Sequence, residues 1–189
     1  MHSTTITLLS LLALTSASPL SSRQNAACFL VGKTALPAEV ADVATSLQNT
    51  VTCSATAKTL SNVPDVTSGR TSFSSIDFSK SKDTPLAFAL KEFATATPLA
   101  STDLAKFQDS LNVYLATEAG IRSTGGSLAI KVPKFFLQMQ VSRIQTAQGN
   151  APAAAGAQVD HLRDKVTKNA AGESKALLDQ VVALAAQVA

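Results

Sequence analysis

The sequence predicts a mainly α, single-domain helical bundle with a Ser/Thr-rich irregular or short β-hairpin insert and one disulfide. Three observations point there. Apolar residues recur at three- and four-residue spacing in most segments beyond Leu36, proline and short polar residues stand where those segments begin, and the chain holds two cysteines near one end. With 189 residues, 46% hydrophobic and 15% charged, the chain is long enough for one core and too apolar for intrinsic disorder.

Residues 1–17 have the layout of a secretory signal peptide. The apolar run Ile6 to Leu14 is shorter than the about 20 residues a membrane-spanning helix needs, and small residues follow at Thr15, Ser16, Ala17 and Ser18. Cleavage is expected after Ala17, because a cut after Ser18 would set Pro19 directly behind the scissile bond. Residues 18–27 then form a leader or flexible N-terminus containing a lone Arg23. No second long apolar span follows, so no transmembrane segment is expected and the localisation reads as secreted and extracellular, with wall association left open. In such an oxidising compartment Cys28 and Cys53 read as one disulfide. It would close a loop of roughly 25 residues and contribute about 3 kcal/mol by restricting the unfolded chain.

The helical globular domain is expected over 28–149. LPAEVADVATSLQNTV places Pro37 at a first helical position and Val40, Val43, Leu47 and Val51 on one face, giving a helix that ends near Cys53. Between Ser54 and Asp83, Pro64, Gly69 and many hydroxyl residues break the helical period. There TSFSSIDF alternates like a strand or hairpin, or else forms an ordered loop that docks Phe73, Ile76 and Phe78 on the core. Thr84 and Pro85 open a helix with Leu86, Ala89, Leu90 and Phe93 on one face, which Pro98 ends. Ser101 or Thr102 caps the next, whose stripe is Leu104, Phe107, Leu111, Tyr114 and Leu115, with Gly120 or Gly125–Gly126 as its stop. Pro133 opens or kinks a core helix running on to Gln148. Residues 150–189 read as an alanine-rich linker followed by two helical patterns separated near Gly172, a tail that is peripheral or only partly ordered.

Catalytic signatures are scarce. His161 is the one histidine beyond the signal segment, and no G-x-S-x-G elbow accompanies it. Glu92, Asp103, Asp109 and Glu118 could pair for glycosidic chemistry, yet each falls at a polar position of an amphipathic helix, and the chain has no Trp and one Tyr to stack sugars. There is no H-E-x-x-H, Cys/His cluster or calcium loop. No catalytic residue, metal or cofactor is therefore expected. The formal charge is +3, falling to +2 if Arg23 leaves with the leader, and the lysines are dispersed, so nucleic acid is not an expected partner.

The block from Asn112 to Gln148 is the one unusual feature, mixing long polar groups into an apolar run. Tyr114, Glu118, Arg122, Lys131, Lys134 and Arg143 are its candidate pocket or interaction residues. The competing expectation is helix packing with Glu118 paired to a nearby arginine.

Taken with CFLVGKTALPAEVAD, VPDVTSG, FSSIDFSKS and TPLAFAL, the segment NVYLATEAGIRSTGGSLAIKVPKFFLQMQVSRIQTAQG resembles a family of small secreted proteins of filamentous fungi of uncharacterised function. The likeness runs from about Cys28 to Gly149 and implies location rather than mechanism. A looser similarity links the chain to helical hydrophobic-surface-binding proteins of fungal walls, from which the cysteine pair and the insert depart. The expected function is a secreted, non-catalytic interaction protein acting on an unknown component at the fungal cell wall or host interface, as a virulence effector or elicitor. The alternatives are an extracellular carrier of a small apolar ligand held around Phe107, Tyr114, Phe135 and Phe136, or an enzyme with an unrecognised site in the Asn112 to Arg143 block.

Overall fold

A computed structural model describes residues 27–188; the signal peptide expected over 1–17 and the leader up to residue 26 lie outside them. The described chain forms α1 (Ala38–Leu47), β1 (Thr52–Lys58), β2 (Pro64–Ser68), β3 (Thr71–Ser72), α2 (Pro85–Glu92), α3 (Leu104–Ser123), α4 (Lys131–Ala147), α5 (Val159–Asn169) and α6 (Lys175–Ala185). The mainly helical architecture, its small β insert and the Cys28–Cys53 disulfide are all present.

α3 is the hub, packing against α1, α4 and β2. Its residues Phe107, Leu111, Val113, Tyr114, Ala116, Ala119 and Ile121 are buried around more than one face, as befits a helix enclosed by neighbours rather than lying on a surface. The segment before α1 crosses the end of α3: Gly32 N–H donates to Ser123 Oγ at 2.9 Å and Thr34 N–H to the Ser123 carbonyl at 2.8 Å. Gly120 makes this crossing possible, since a Cβ there would stand 2.6 Å from the Phe29 carbonyl oxygen and 2.7 Å from Val63 Cγ1. The disulfide fastens the segment to β1 with a Cα–Cα distance of 6.0 Å.

Several boundaries differ from the sequence expectation. Pro37 is the N-cap of α1 rather than its first residue, and α1 stops at Leu47, whose carbonyl accepts from the Thr50 and Val51 N–H groups as the chain turns into β1. Cys53 therefore lies on a strand. The sheet is antiparallel in the order β1-β2-β3, pairing Cys53 with Val66 and Thr67 with Ser72. TSFSSIDF contributes only β3 to it; Phe73–Ile76 and Phe78–Lys80 are single turns of 3₁₀ helix. Three residues per turn put Phe73 and Ile76 on one side, and both are buried with Phe78.

Thr84 caps α2 and Pro85 opens it, as read from sequence, but the helix ends at Glu92, well before Pro98. The cap of α3 is Asp103, whose Oδ1 accepts from Lys106 N–H at 3.1 Å. Ser101 and Thr102 are committed elsewhere: Ser101 Oγ donates to the Pro98 carbonyl, and Thr102 Oγ1 accepts from Ala96 N–H. α3 runs through Gly120, and Gly125, at φ +71°, serves the turn that follows. Pro133 lies in the first turn of α4, where a missing N–H leaves no helical bond unmade.

The tail packs on the helical core. α5 packs along α4 and buries Leu162 and Val166, while α6 packs on α5 and α2 and buries Val181 and Ala185. Glu173, between the two helices, adds a second cap to α2: its Oε2 accepts from Thr84 Oγ1 at 2.7 Å and its Oε1 from Leu86 N–H at 3.3 Å. Residues beyond 149 thus belong to the same core as the rest.

Candidate functional site

A cleft of about 310 Å³ opens where the β2–β3 turn, the end of α2 and the start of α3 meet. This is near the lower bound for small-molecule sites, roughly 300–1,000 Å³. Ile76, Phe93 and Phe107 lie at its base, but all three are buried, so the surface that faces the cleft is mostly polar. Its rim carries Arg70, Glu92 and Lys106, all exposed. None of these three charges takes part in an ion pair among the described residues.

The local structure fixes each part. Ser68 Oγ donates to Asp109 Oδ1 at 2.7 Å and accepts from Asn112 Nδ2 at 3.2 Å, tying the end of β2 to α3. Gly69 follows at φ +52°, with no space for a Cβ against the Asp109 carboxylate, and this turn presents Arg70. Lys106 is placed by the Asp103 cap. The floor is held from below: Tyr114 OH donates to the Ile76 carbonyl at 2.7 Å, and Gln140 Nε2 donates to the Phe93 carbonyl at 2.8 Å.

The residues singled out from sequence fall into three places and do not surround one pocket. Tyr114 is fully buried beneath the cleft, edge-on to Phe73 and Phe93 at centroid distances of 5.1 and 5.8 Å. Burial pushes its phenol far above the ordinary tyrosine range, and the nearby Asp77 charge adds to this. Arg143 is 2% exposed, donating from Nη1 to Gln140 Oε1 at 2.5 Å and from Nη2 and Nε to the Gln187 carbonyl at 2.8 and 3.2 Å. Through Gln140 it braces the Phe93 carbonyl, so Tyr114 and Arg143 support the floor without reaching its surface.

Glu118, Arg122 and Lys134 form a separate cluster between α3 and α4. Arg122 Nη2 and Nε meet Glu118 Oε1 at 2.8 and 2.9 Å, while Lys134 Nζ lies 2.8 Å from Glu118 Oε2 and 3.7 Å from the Phe135 ring centroid. Glu118 is 3% exposed, so the solvated position expected for it is corrected: α3 is enclosed on that side by α4. Burial holds the Lys134 amine below the ordinary lysine range; Glu118 pulls it back up, and Arg122 and Lys131 push it down. Lys131 is half-buried. The arginine partner expected for Glu118 is present, joined by a lysine that spacing did not predict.

Of the aromatics expected around an apolar ligand, Phe107 lines the cleft, whereas Tyr114 and Phe136 are enclosed in the core. Sequence reasoning passed over Arg70 and Lys106. Each is an isolated cation in a polar stretch, and only the fold brings them to one rim. His161 is exposed on α5. Among the described residues no group of three His, Cys, Asp or Glu side chains could hold a metal ion, and no helix is long and apolar enough to cross a membrane.

A family described as a domain of unknown function (DUF7143) matches residues 30–189, a span that takes in α5 and α6. No curated protein and no solved structure matches the chain.

Proposed function

We propose that this chain, which belongs to the DUF7143 family, is a secreted interaction protein that acts without catalysis at a fungal cell wall or host interface. The observation that carries this reading is the Cys28–Cys53 bridge, close behind a segment with the layout of a signal peptide. Such a bridge forms and persists in an oxidising compartment. The resemblance to small secreted fungal proteins supports the same location, and the embedding of Glu118, Lys134 and Arg143 in the core leaves partner recognition to other residues at the surface. Purified protein is expected to co-sediment with isolated fungal walls or to provoke a response in host tissue. A deletion strain with unaltered walls and unaltered colonisation, together with protein that does neither, overturns the reading.

A second reading is an extracellular carrier of a small molecule, with the cleft at the β2–β3 turn as its candidate site. Native mass spectrometry of protein taken from culture medium separates the two, because a carrier retains added mass that a surface-acting protein lacks.

A further inference from the structure

The geometry points to the cleft at the β2–β3 turn as a site for a small polar zwitterion of the free α-amino acid class, its carboxylate at Arg70 and Lys106 and its ammonium at Glu92. This rests on the carrier reading and deepens it by naming the class of ligand.

Charge and lining decide the class. The rim presents cations at Arg70 and Lys106 and an anion at Glu92, and the Asp109 carboxylate stands against Gly69 in the turn that presents Arg70. None of the four takes part in an ion pair among the described residues, although both signs share one cleft. Their formal charges cancel. A ligand of one sign therefore meets repulsion beside every attraction, whereas a molecule that carries both signs close together satisfies them at once. The guanidinium suits two parallel contacts with a carboxylate, the Lys106 ammonium adds a point charge, and the Glu92 carboxylate accepts from an ammonium. The apolar side chains at the base are buried, so a short polar body suits the lining better than hydrocarbon. Ser75 Oγ donates to the Ser72 carbonyl at 2.7 Å, which leaves its lone pairs to accept from that body. The walls are preorganised: the Ser68–Asp109 hydrogen bond sets the turn before Arg70, and Gln140 holds the Phe93 carbonyl next to Glu92. Little ordering is then left for the ligand to induce.

The test is a titration of the isotope-labelled, disulfide-bonded protein with L-serine, N-acetyl-L-serine, which keeps only the negative charge, and ethanolamine, which keeps only the positive one, followed by amide NMR at low ionic strength. Serine is expected to shift the Arg70, Glu92 and Lys106 amides saturably and to bind about 5-fold more tightly than either analogue. Arg70→Ala, at an exposed position, is expected to bring serine down to the affinity of ethanolamine, and Glu92→Gln to bring it down to that of N-acetyl-L-serine. An analogue that binds as tightly as serine, or serine binding that neither substitution weakens, overturns the zwitterion assignment and leaves the carrier reading standing. Failure of all three probes to shift these amides overturns the site and, with it, the carrier reading at this cleft.

Discussion

Arg143 and Gln187 are joined across the fold: two nitrogens of the buried guanidinium donate to one backbone carbonyl just past the end of α6. The carbonyl lies at the negative end of the helix, where a cation is favoured. The contact ties the tail to α4 and, through Gln140, to the Phe93 carbonyl under the cleft. Deleting residues from Gln187 onward is expected to lower unfolding free energy by about 2 kcal/mol, because a buried charged donor loses its acceptor. Arg143→Ala should cost about 3 kcal/mol, and the two changes combined little more than Arg143→Ala alone. Urea unfolding of the three variants measures this; additive losses would show that the two groups are not coupled.

Glu118→Gln is expected to destabilise the fold by about 3 kcal/mol, since it leaves Lys134 and Arg122 near each other in the core without a counter-charge. Wild-type protein has a matching alkaline signature. The Lys134 amine titrates below its ordinary 10.5 in the fold, so between that lowered value and 10.5 the folded state has released a proton that the unfolded chain still binds. The Lys134 contribution to stability therefore rises with pH across that window. The stability of wild type relative to Lys134→Met should rise with pH through that window, and a constant difference would refute the assignment.

Tyr114 supplies the opposite trend and a direct optical readout. It is the single tyrosine of a chain with no tryptophan. Its folded phenol titrates well above the ordinary 10.0, so above about pH 10 the unfolded chain loses a proton that the folded state retains, and stability falls. Ultraviolet titration is expected to show no tyrosinate until the protein unfolds. A reversible transition near pH 10 in folded protein would contradict the closed core. Tyr114→Phe removes the hydrogen bond to Ile76, costs about 1 kcal/mol at neutral pH, and should lose that disadvantage in alkali.

Gly120→Ala tests the crossing of the N-terminal segment over α3. The added Cβ meets the Phe29 carbonyl and Val63, at a cost of about 2 kcal/mol. Cys28→Ser with Cys53→Ser should cost about 3 kcal/mol in the chain-entropy model. Hydrogen exchange is expected to accelerate at Gly32 and Thr34, whose N–H groups bond to Ser123, before it does in α4. Uniform acceleration would show that the segment is not a separate cooperative unit.

Much of the helical scaffold was legible because periodicity and caps are local signals. Thr84 with Pro85 opened α2 where both marked it, and Leu86, Ala89 and Phe93 are buried as their spacing required. Competing hydroxyls obscured the start of α3: Ser101, Thr102 and Asp103 can all cap, and the other two were engaged by Pro98 and Ala96. At TSFSSIDF both readings hold in part: Thr71–Ser72 pairs as a strand, and the 3₁₀ turns that follow dock Phe73, Ile76 and Phe78 on the core as the loop reading requires. Alanine richness hid the packing of the tail, which is fixed by Glu173 capping α2 and Gln187 meeting Arg143, contacts 87 and 44 residues apart. The same separation kept the cleft out of reach. Arg70, Glu92 and Lys106 share no period and no element.

Export of a disulfide-closed chain is decided by mass spectrometry of the protein in the medium of a filamentous fungus expressing it from Met1. Protein is expected outside the cell, beginning at or shortly after Ser18, with the Cys28 and Cys53 peptides cross-linked and inert to alkylation until reduced. Protein retained inside the cell with its first 17 residues intact and both thiols alkylated at once would contradict it.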